Sequence, residues 1–253
     1  MKTVYFDNAA TTKLDEKVLE SMMPYFGENY GNASSIYKLA RDARKAVEES
    51  REKIAKIINC KPSEIYFTAG GSESDNTAIK GIARNYKNKG NHIITSKIEH
   101  PAVLDSCKEL ENEGFEVSYI SVDENGVINL EELKKAIRPT TILITVMFAN
   151  NEIGTIEPIK EIGEIAKDNN IYFHTDAVQA MGSLKIDVKE LNIDSLSMSS
   201  HKFYGPKGVG ALYVRNGVGF KKYISGGHQE KNKRAGTENV PGIVGMASAL
   251  ELA

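Results

Sequence analysis

The chemistry on offer in this chain lies in a lysine set among hydroxyls and rings, a carboxylate closing an apolar run, and a histidine placed just before a proline. Lys202 sits in Ser199-Ser200-His201-Lys202-Phe203-Tyr204. A lysine is ordinarily a solvated surface residue. Here the polar side chains before it offer contacts, and the two rings after it restrict water. Desolvation lowers the pKa of an amine and makes it nucleophilic, as Schiff-base chemistry requires. Asp176 follows the apolar run Ile171-Tyr172-Phe173. A carboxylate is costly to bury there unless a cation or a strong donor meets it; capping the next helix is its structural alternative. Gln179, three residues later, could share the site. His174 and Asp176 alternate along the same run, but no third ligand accompanies them, so a metal site is not expected.

The other candidates also follow apolar runs. Gly70-Gly71-Ser72 comes after Ile65-Tyr66-Phe67-Thr68; glycines let the backbone approach a ligand, and the helix start behind them favours an anion such as phosphate. The same stretch reads equally as a strand-to-helix turn with Ser72 as N-cap. His100 precedes Pro101, a residue suited to open a helix. That histidine could stack on a planar ring, move protons, or simply cap. Asn150-Asn151-Glu152 places amides after an apolar strand, for directional hydrogen bonds or for a turn. Each signal alone is weak. Together they describe a flat ring bearing a phosphate, an aldehyde for an amine and a ring nitrogen for a carboxylate, which is pyridoxal 5′-phosphate (PLP).

These residues need a scaffold that brings strand ends together. Strand-like runs occur at 65–68, 92–96, 116–120, 141–147, 171–175, 194–198 and 209–214. Helical spacing occurs at 38–58, 73–89, 102–113, 130–137, 158–168 and 241–252. This alternation predicts an α/β fold with a mainly parallel seven-stranded sheet flanked by helices, whose ligands bind at the carboxyl ends of the strands. Composition fits a globular chain: 253 residues, 41% hydrophobic and 26% charged, with a net charge of −2 that gives no field for nucleic acid or anionic lipid. No apolar run is long enough to span a membrane, and the N-terminus does not read as a signal peptide. Two cysteines, Cys60 and Cys107, lack ligand spacing and read as buried hydrophobes in a reducing, cytoplasmic setting.

Seven separated motifs occur in order: YFDNAATT at 5–12, GGSESDN at 70–76, EHPAV at 99–103, NNEIG at 150–154, HTDAVQ at 174–179, SSHKFYGPKGVGALY at 199–213 and RAGTEN at 234–239. From residue 4 to the last residue the chain resembles the cysteine desulfurases, the NifS/IscS-like enzymes of the class V aminotransferase group. The resemblance implies the PLP-dependent transferase fold type I, with an N-terminal arm at 1–15 and a PLP-binding large domain at 16–253. It implies Lys202 as the lysine bonded to the cofactor, Asp176 as partner of the pyridine nitrogen and Gln179 as ligand of the ring oxygen. His100 would stack on the ring and aid proton transfers. Gly71, Ser72, Ser199 and His201 match phosphate-binding positions, with Ser200 inside the same segment, and Asn151 matches a residue near cofactor and substrate. Thr237 matches a threonine that reaches the partner subunit's phosphate, which implies a homodimer.

The reaction so implied converts L-cysteine to L-alanine and passes the sulfur to a protein cysteine as persulfide, for iron–sulfur cluster or thio-cofactor assembly. An iron–sulfur scaffold or another sulfur acceptor would be the partner. The family's nucleophilic cysteine, substrate-gripping arginine and most of its smaller C-terminal domain match no residue up to 253, and neither Cys60 nor Cys107 aligns with the nucleophile. The expectation is therefore a chain with the cofactor-binding half and with sulfur transfer absent or impaired by itself. Selenocysteine lyase, another class V aminotransferase or lyase, and a non-catalytic scaffold are the alternatives. A Rossmann dinucleotide site is not supported, since GPKGVG at 205–210 has the wrong spacing.

Overall fold

The computed structural model describes residues 4–253. It contains one sheet of seven strands: β1 (Ile65–Thr68), β2 (His92–Ser96), β3 (Glu116–Ile120), β4 (Thr141–Thr145), β5 (Tyr172–Asp176), β6 (Ser195–Ser199) and β7 (Gly210–Val214). The spatial order is β1-β7-β6-β5-β4-β2-β3. Neighbours are parallel from β6 through to β3, while β7 runs antiparallel to both β1 and β6. The predicted mainly parallel sheet is thus observed. The carboxyl ends of β1, β2, β4, β5 and β6 share one edge, which β7 joins with its amino end, Gly210 lying opposite both Thr68 and Ser199.

Inner strands such as Thr-Ile-Leu-Ile-Thr in β4 are buried throughout, as β-branched runs covered on both faces should be. Ile94, Ile144, Phe173 and Leu196 join one core with α2 (Lys38–Ile57), α6 (Ile159–Asp168) and α8 (Val240–Leu252). Ile93, Leu143 and Leu212 point the other way, against α3 (Gly71–Tyr86) and α4 (Pro101–Asn112). The remaining helices are α1 (Glu16–Met22), α5 (Leu130–Ala136) and a single turn, α7 (Gln229–Asn232). The sequence pattern did not anticipate α1 or α7. α1 buries only Val18 and Met22, too little apolar periodicity to read, and α7 has positive φ at Glu230, Lys231 and Asn232.

That left-handed turn protects the sheet's edge. β1 is an outer strand, and its free groups are met by an ion pair. The Arg51 guanidinium donates to Ile65 O at 2.8 Å and makes two 2.8 Å contacts with the Glu230 carboxylate, which accepts from Phe67 N at 2.8 Å. Both side chains are buried, and the guanidinium lies 4.7 Å from the centre of the Phe67 ring. An exposed strand edge invites pairing with other chains; here its free donor and acceptor are both closed by charge. Glu230→Ala removes the bidentate partner of a buried guanidinium, which keeps only Ile65 O and Glu48, and leaves the Phe67 amide without an acceptor, so urea unfolding should report a loss of about 3–5 kcal/mol; a loss below about 1 kcal/mol would contradict this account.

Candidate active site

A cavity of about 540 Å³ opens at the carboxyl edge of the sheet. Its walls come from residues at or just beyond the strand ends: Gly71, Ser72 and Asp75 after β1, His100 after β2, Met147, Ala149, Asn151 and Glu152 after β4, Asp176, Val178 and Gln179 from the end of β5, and Ser199, His201 and Lys202 from the end of β6. Asp7, Ala9 and Ala10 of the N-terminal arm complete it. The arm is tied down by Thr12, whose backbone N–H and hydroxyl both donate to His201 O at 2.9 Å.

Lys202 ends a 3₁₀ turn, Ser200–Lys202, that leaves β6. Its ammonium donates to Ala10 O at 3.1 Å and also to Ala9 O. Burial lowers its pKa, and Asp176 partly offsets this. The turn closes because Gly205 has no side chain: a Cβ there would lie 2.0 Å from Ser200 Oγ. Tyr204, with φ of 62°, takes up the reversal. His201 meets Thr11 Oγ1 through Nδ1 at 3.0 Å, and burial lowers its pKa.

Asp176 is the last residue of β5. It accepts from Val178 N at 2.9 Å, and burial raises its pKa against the lowering influence of that bond, His100 and Lys202. His100 is the N-cap of α4: its Nδ1 accepts from Ala102 N at 3.1 Å, which leaves Nε2 as the nitrogen able to carry a proton. Gln179 donates to Ala9 O at 2.9 Å. Asn151 is placed by its neighbour Asn150, whose side chain donates to Ile98 O at 3.0 Å and accepts from Glu152 N at 2.8 Å.

The glycine turn leads into α3. Gly70, not Ser72, is the N-cap, with φ of 153°, which corrects the reading of Ser72 as the cap and frees its hydroxyl to line the cavity. A Cβ on Gly71 would meet Val178 Cγ2 at 2.7 Å, so the helix can approach β5 only with glycine there. Two predicted residues are not on the cavity wall. Ser200 is fully buried, its hydroxyl without a hydrogen-bond partner and packed against Gly205. Thr237 is exposed and lies with Thr68, Gly208 and Arg234 around a separate depression.

Residues 4–253 match the family model described as Aminotransferase class-V. The chain belongs to that family. It is 61% identical over 252 residues to a cysteine desulfurase IscS of Clostridium botulinum, covering 100% of this chain and 64% of that protein. Among solved structures, a NifS-like protein superposes with a TM-score of 0.97 at 45% identity, covering 99% of this chain and 69% of the other. A structure titled SspA in complex with cysteine gives 0.96 at 47% identity, covering 98% and 72%. The class-V family is PLP-dependent, and this cavity fits the cofactor. The first N–H groups of a helix have no partner within it; at α3 they stand with Ser72, Ser199 and His201 where a phosphate would be held. Asp176 supplies a carboxylate for a ring nitrogen, and Lys202 an amine whose pKa burial lowers.

Sequence reasoning passed over Asp75, Glu99 and the arm residues Asp7, Ala9 and Ala10. Asp75 carried a legible signal: it lies four residues past Gly71, one turn along the same helix face. Glu99 is buried, its Oε1 accepting from Ser96 Oγ at 2.5 Å and Met147 N at 3.0 Å while Oε2 has no partner. It thereby ties the end of β2 to the chain leaving β4. Burial pushes its carboxyl up to about 8, against those two hydrogen bonds. In the window between the ordinary carboxyl range and about pH 8 the folded chain holds a proton that the unfolded chain has lost, so stability falls as pH rises through it. Glu99→Gln keeps the acceptor and removes the ionisation. Thermal midpoints should therefore move in the variant's favour from about pH 5 to about pH 8 and level off above; a constant difference would refute the assignment.

Proposed function

We propose that this chain forms the cofactor-binding part of a PLP-dependent cysteine desulfurase, with L-cysteine as substrate, L-alanine as product and the sulfur delivered as persulfide. The observation that carries the reading is that Lys202, Asp176 and His100 face one cavity. The chain spans 64% of the length of the curated relative it matches at 61% identity, and that relative's name supports the substrate class. When bound, the cofactor would supply an electron sink next to the substrate's Cα. Lys202 would hold it covalently through the amine, with Asp176 at the ring nitrogen, Gln179 at the ring oxygen, and Gly71, Ser72, Ser199 and His201 around the phosphate.

The chain's own residues then divide the work. Lys202, its pKa lowered by burial, is an amine that can take and return a proton at the substrate's Cα. His100 has one ring nitrogen engaged by Ala102 N, so proton exchange falls to Nε2. The Ala9 and Ala10 carbonyls accept from the amine and hold it in place. Asn151 stands where a substrate carboxylate or the ring could be hydrogen-bonded. The sulfur step needs a thiolate. Cys60 and Cys107 are both free, neither lies on the cavity, and burial pushes each thiol up to about 12. The acceptor thiolate is therefore supplied by other residues.

The reading extends to setting and partners. Unpaired thiols suit a reducing, cytoplasmic compartment, and among the described residues no helix is long and apolar enough to cross a membrane. Thr237, exposed and away from its own chain's cavity, suits a residue that serves a second copy in a homodimer. An iron–sulfur scaffold or another sulfur acceptor would take the persulfide. The test is the visible spectrum of the chain with PLP. Wild type should turn yellow and retain cofactor on Lys202 after borohydride, while Lys202→Ala binds PLP without covalent retention. Alanine should form from L-cysteine when an external dithiol is added as sulfur acceptor. A colourless wild-type protein would overturn the reading.

A further inference from the structure

Asp75 is a buried carboxylate that the proposed chemistry leaves unexplained. It is 1% exposed, lines the cavity, and its Oδ1 has no hydrogen-bond partner. One atom from each of Asp75, His100 and Asp176 lies within 4.8 Å of the other two. Behind it, Asp75 Oδ1 is 3.7 Å from His174 Nε2. That imidazole is fully buried and engaged on both sides, by Thr145 Oγ1 at 2.8 Å and Ser197 Oγ at 3.1 Å, and burial pushes its pKa down to about 3. His174 is therefore neutral and cannot balance Asp75.

Two buried carboxylates this close do not both ionise readily; one retains a proton. The surroundings decide which. Asp176 accepts a backbone N–H from Val178 and lies near Lys202 and His100, both of which favour its ionised form. Asp75 is faced by neutral His174, by Asp176 and by Glu99; burial and repulsion from the two carboxyls raise its pKa, and only the Ser197 hydroxyl works the other way. We propose that Asp75 is a positioning residue of the cofactor site: it holds the proton of the pair, so that Asp176 is the ionised member presented to the ring nitrogen. This role rests on the PLP reading above, but the protonation state belongs to the chain alone. Burial, followed by repulsion from Asp176, raises the Asp75 carboxyl well above its ordinary range, in keeping with that assignment.

The test has one arm without cofactor and one with it. In the Glu99→Gln background, the infrared spectrum of the apo chain at neutral pH should contain a neutral-carboxyl C=O band that Asp75→Asn removes. With PLP bound, Asp75→Asn, which preserves a neutral group of the same shape, should leave the pH midpoint of the visible band within about 0.3 units of wild type, whereas Asp176→Asn should move it by about one unit or more and weaken PLP binding. Asp75→Ala, if folded by circular dichroism, should weaken PLP binding about tenfold, since the polar group packed beside Asp176 is lost. The proposal is overturned by an Asp75→Asn midpoint shift of a unit, by absence of the infrared band, or by an unperturbed Asp75→Ala. Retention of one equivalent of divalent metal by the apo chain, lost on Asp75→Asn, would also overturn it. An apo band with no cofactor binding would instead fault the PLP reading and leave the carboxyl pair standing.

Discussion

The burial of the Asp176 carboxyl is the constraint around which the cavity is organised. A carboxylate at the end of a buried strand is unfavourable by several kcal/mol unless its surroundings answer it. The answers come from separate parts of the chain: Val178 N from the turn after β5, His100 from the start of α4, and Lys202 from the turn after β6. Each of those elements is fixed by contacts unrelated to chemistry, and together they leave one side of the carboxylate open. An anion held ready in a low-dielectric pocket interacts more strongly with an incoming cationic ring nitrogen than it would in water. The same feature sets the limits of the site, because a second ionised carboxylate beside it would undo the arrangement.

The sheet supplies the convergence. Parallel strands deliver their carboxyl ends to one edge, and β7 alone reverses, which returns the chain beside β6 and lets the Ser200–Lys202 turn stand at the centre of that edge. Gly205 and Tyr204 absorb the geometric cost of the turn. At the far side, the Arg51–Glu230 pair seals β1, and Arg234 in the next segment binds Glu73 at 2.9 Å. Glu73 in turn accepts from Ala69 N at 2.8 Å. The segment 230–239 thus braces the glycine turn that opens α3, joining edge protection to the place where a phosphate would bind.

Much of this was legible in the residues. Buried strands announce themselves as β-branched runs, and Lys202, Asp176 and His100 stand at strand ends where an α/β sheet presents ligands. The order of the motifs pointed to Gln179 and Asn151, and both line the cavity. The misses have physical causes. α1 and the left-handed α7 turn depend on tertiary contacts rather than on periodicity. Ser200 looked like its polar neighbours, yet the 3₁₀ turn rotates it inward against Gly205. The arm's Ala9 and Ala10 have no functional side chain; they act through carbonyls that accept from Lys202 and Gln179, which no residue-type argument detects. Asp75 shares a helix face with Gly71, a spacing that could have flagged it, but its burial depends on what packs against that face.

The thiols impose a division of chemistry. On the proposed reading the cavity needs an amine of lowered pKa, and partial burial of Lys202 supplies one. A sulfur acceptor needs the opposite environment, since burial raises a thiol's pKa and silences it, as it does at Cys60 and Cys107. Both requirements are hard to meet on one rigid wall that also carries the anionic Asp176, because a neighbouring carboxylate would hold a thiol protonated. An acceptor thiolate is better placed on a separate, solvated segment that approaches only when substrate sulfur is exposed. On the proposed reading, the acidic floor that would face the ring nitrogen is thus itself a reason for the sulfur-accepting group to sit apart from it.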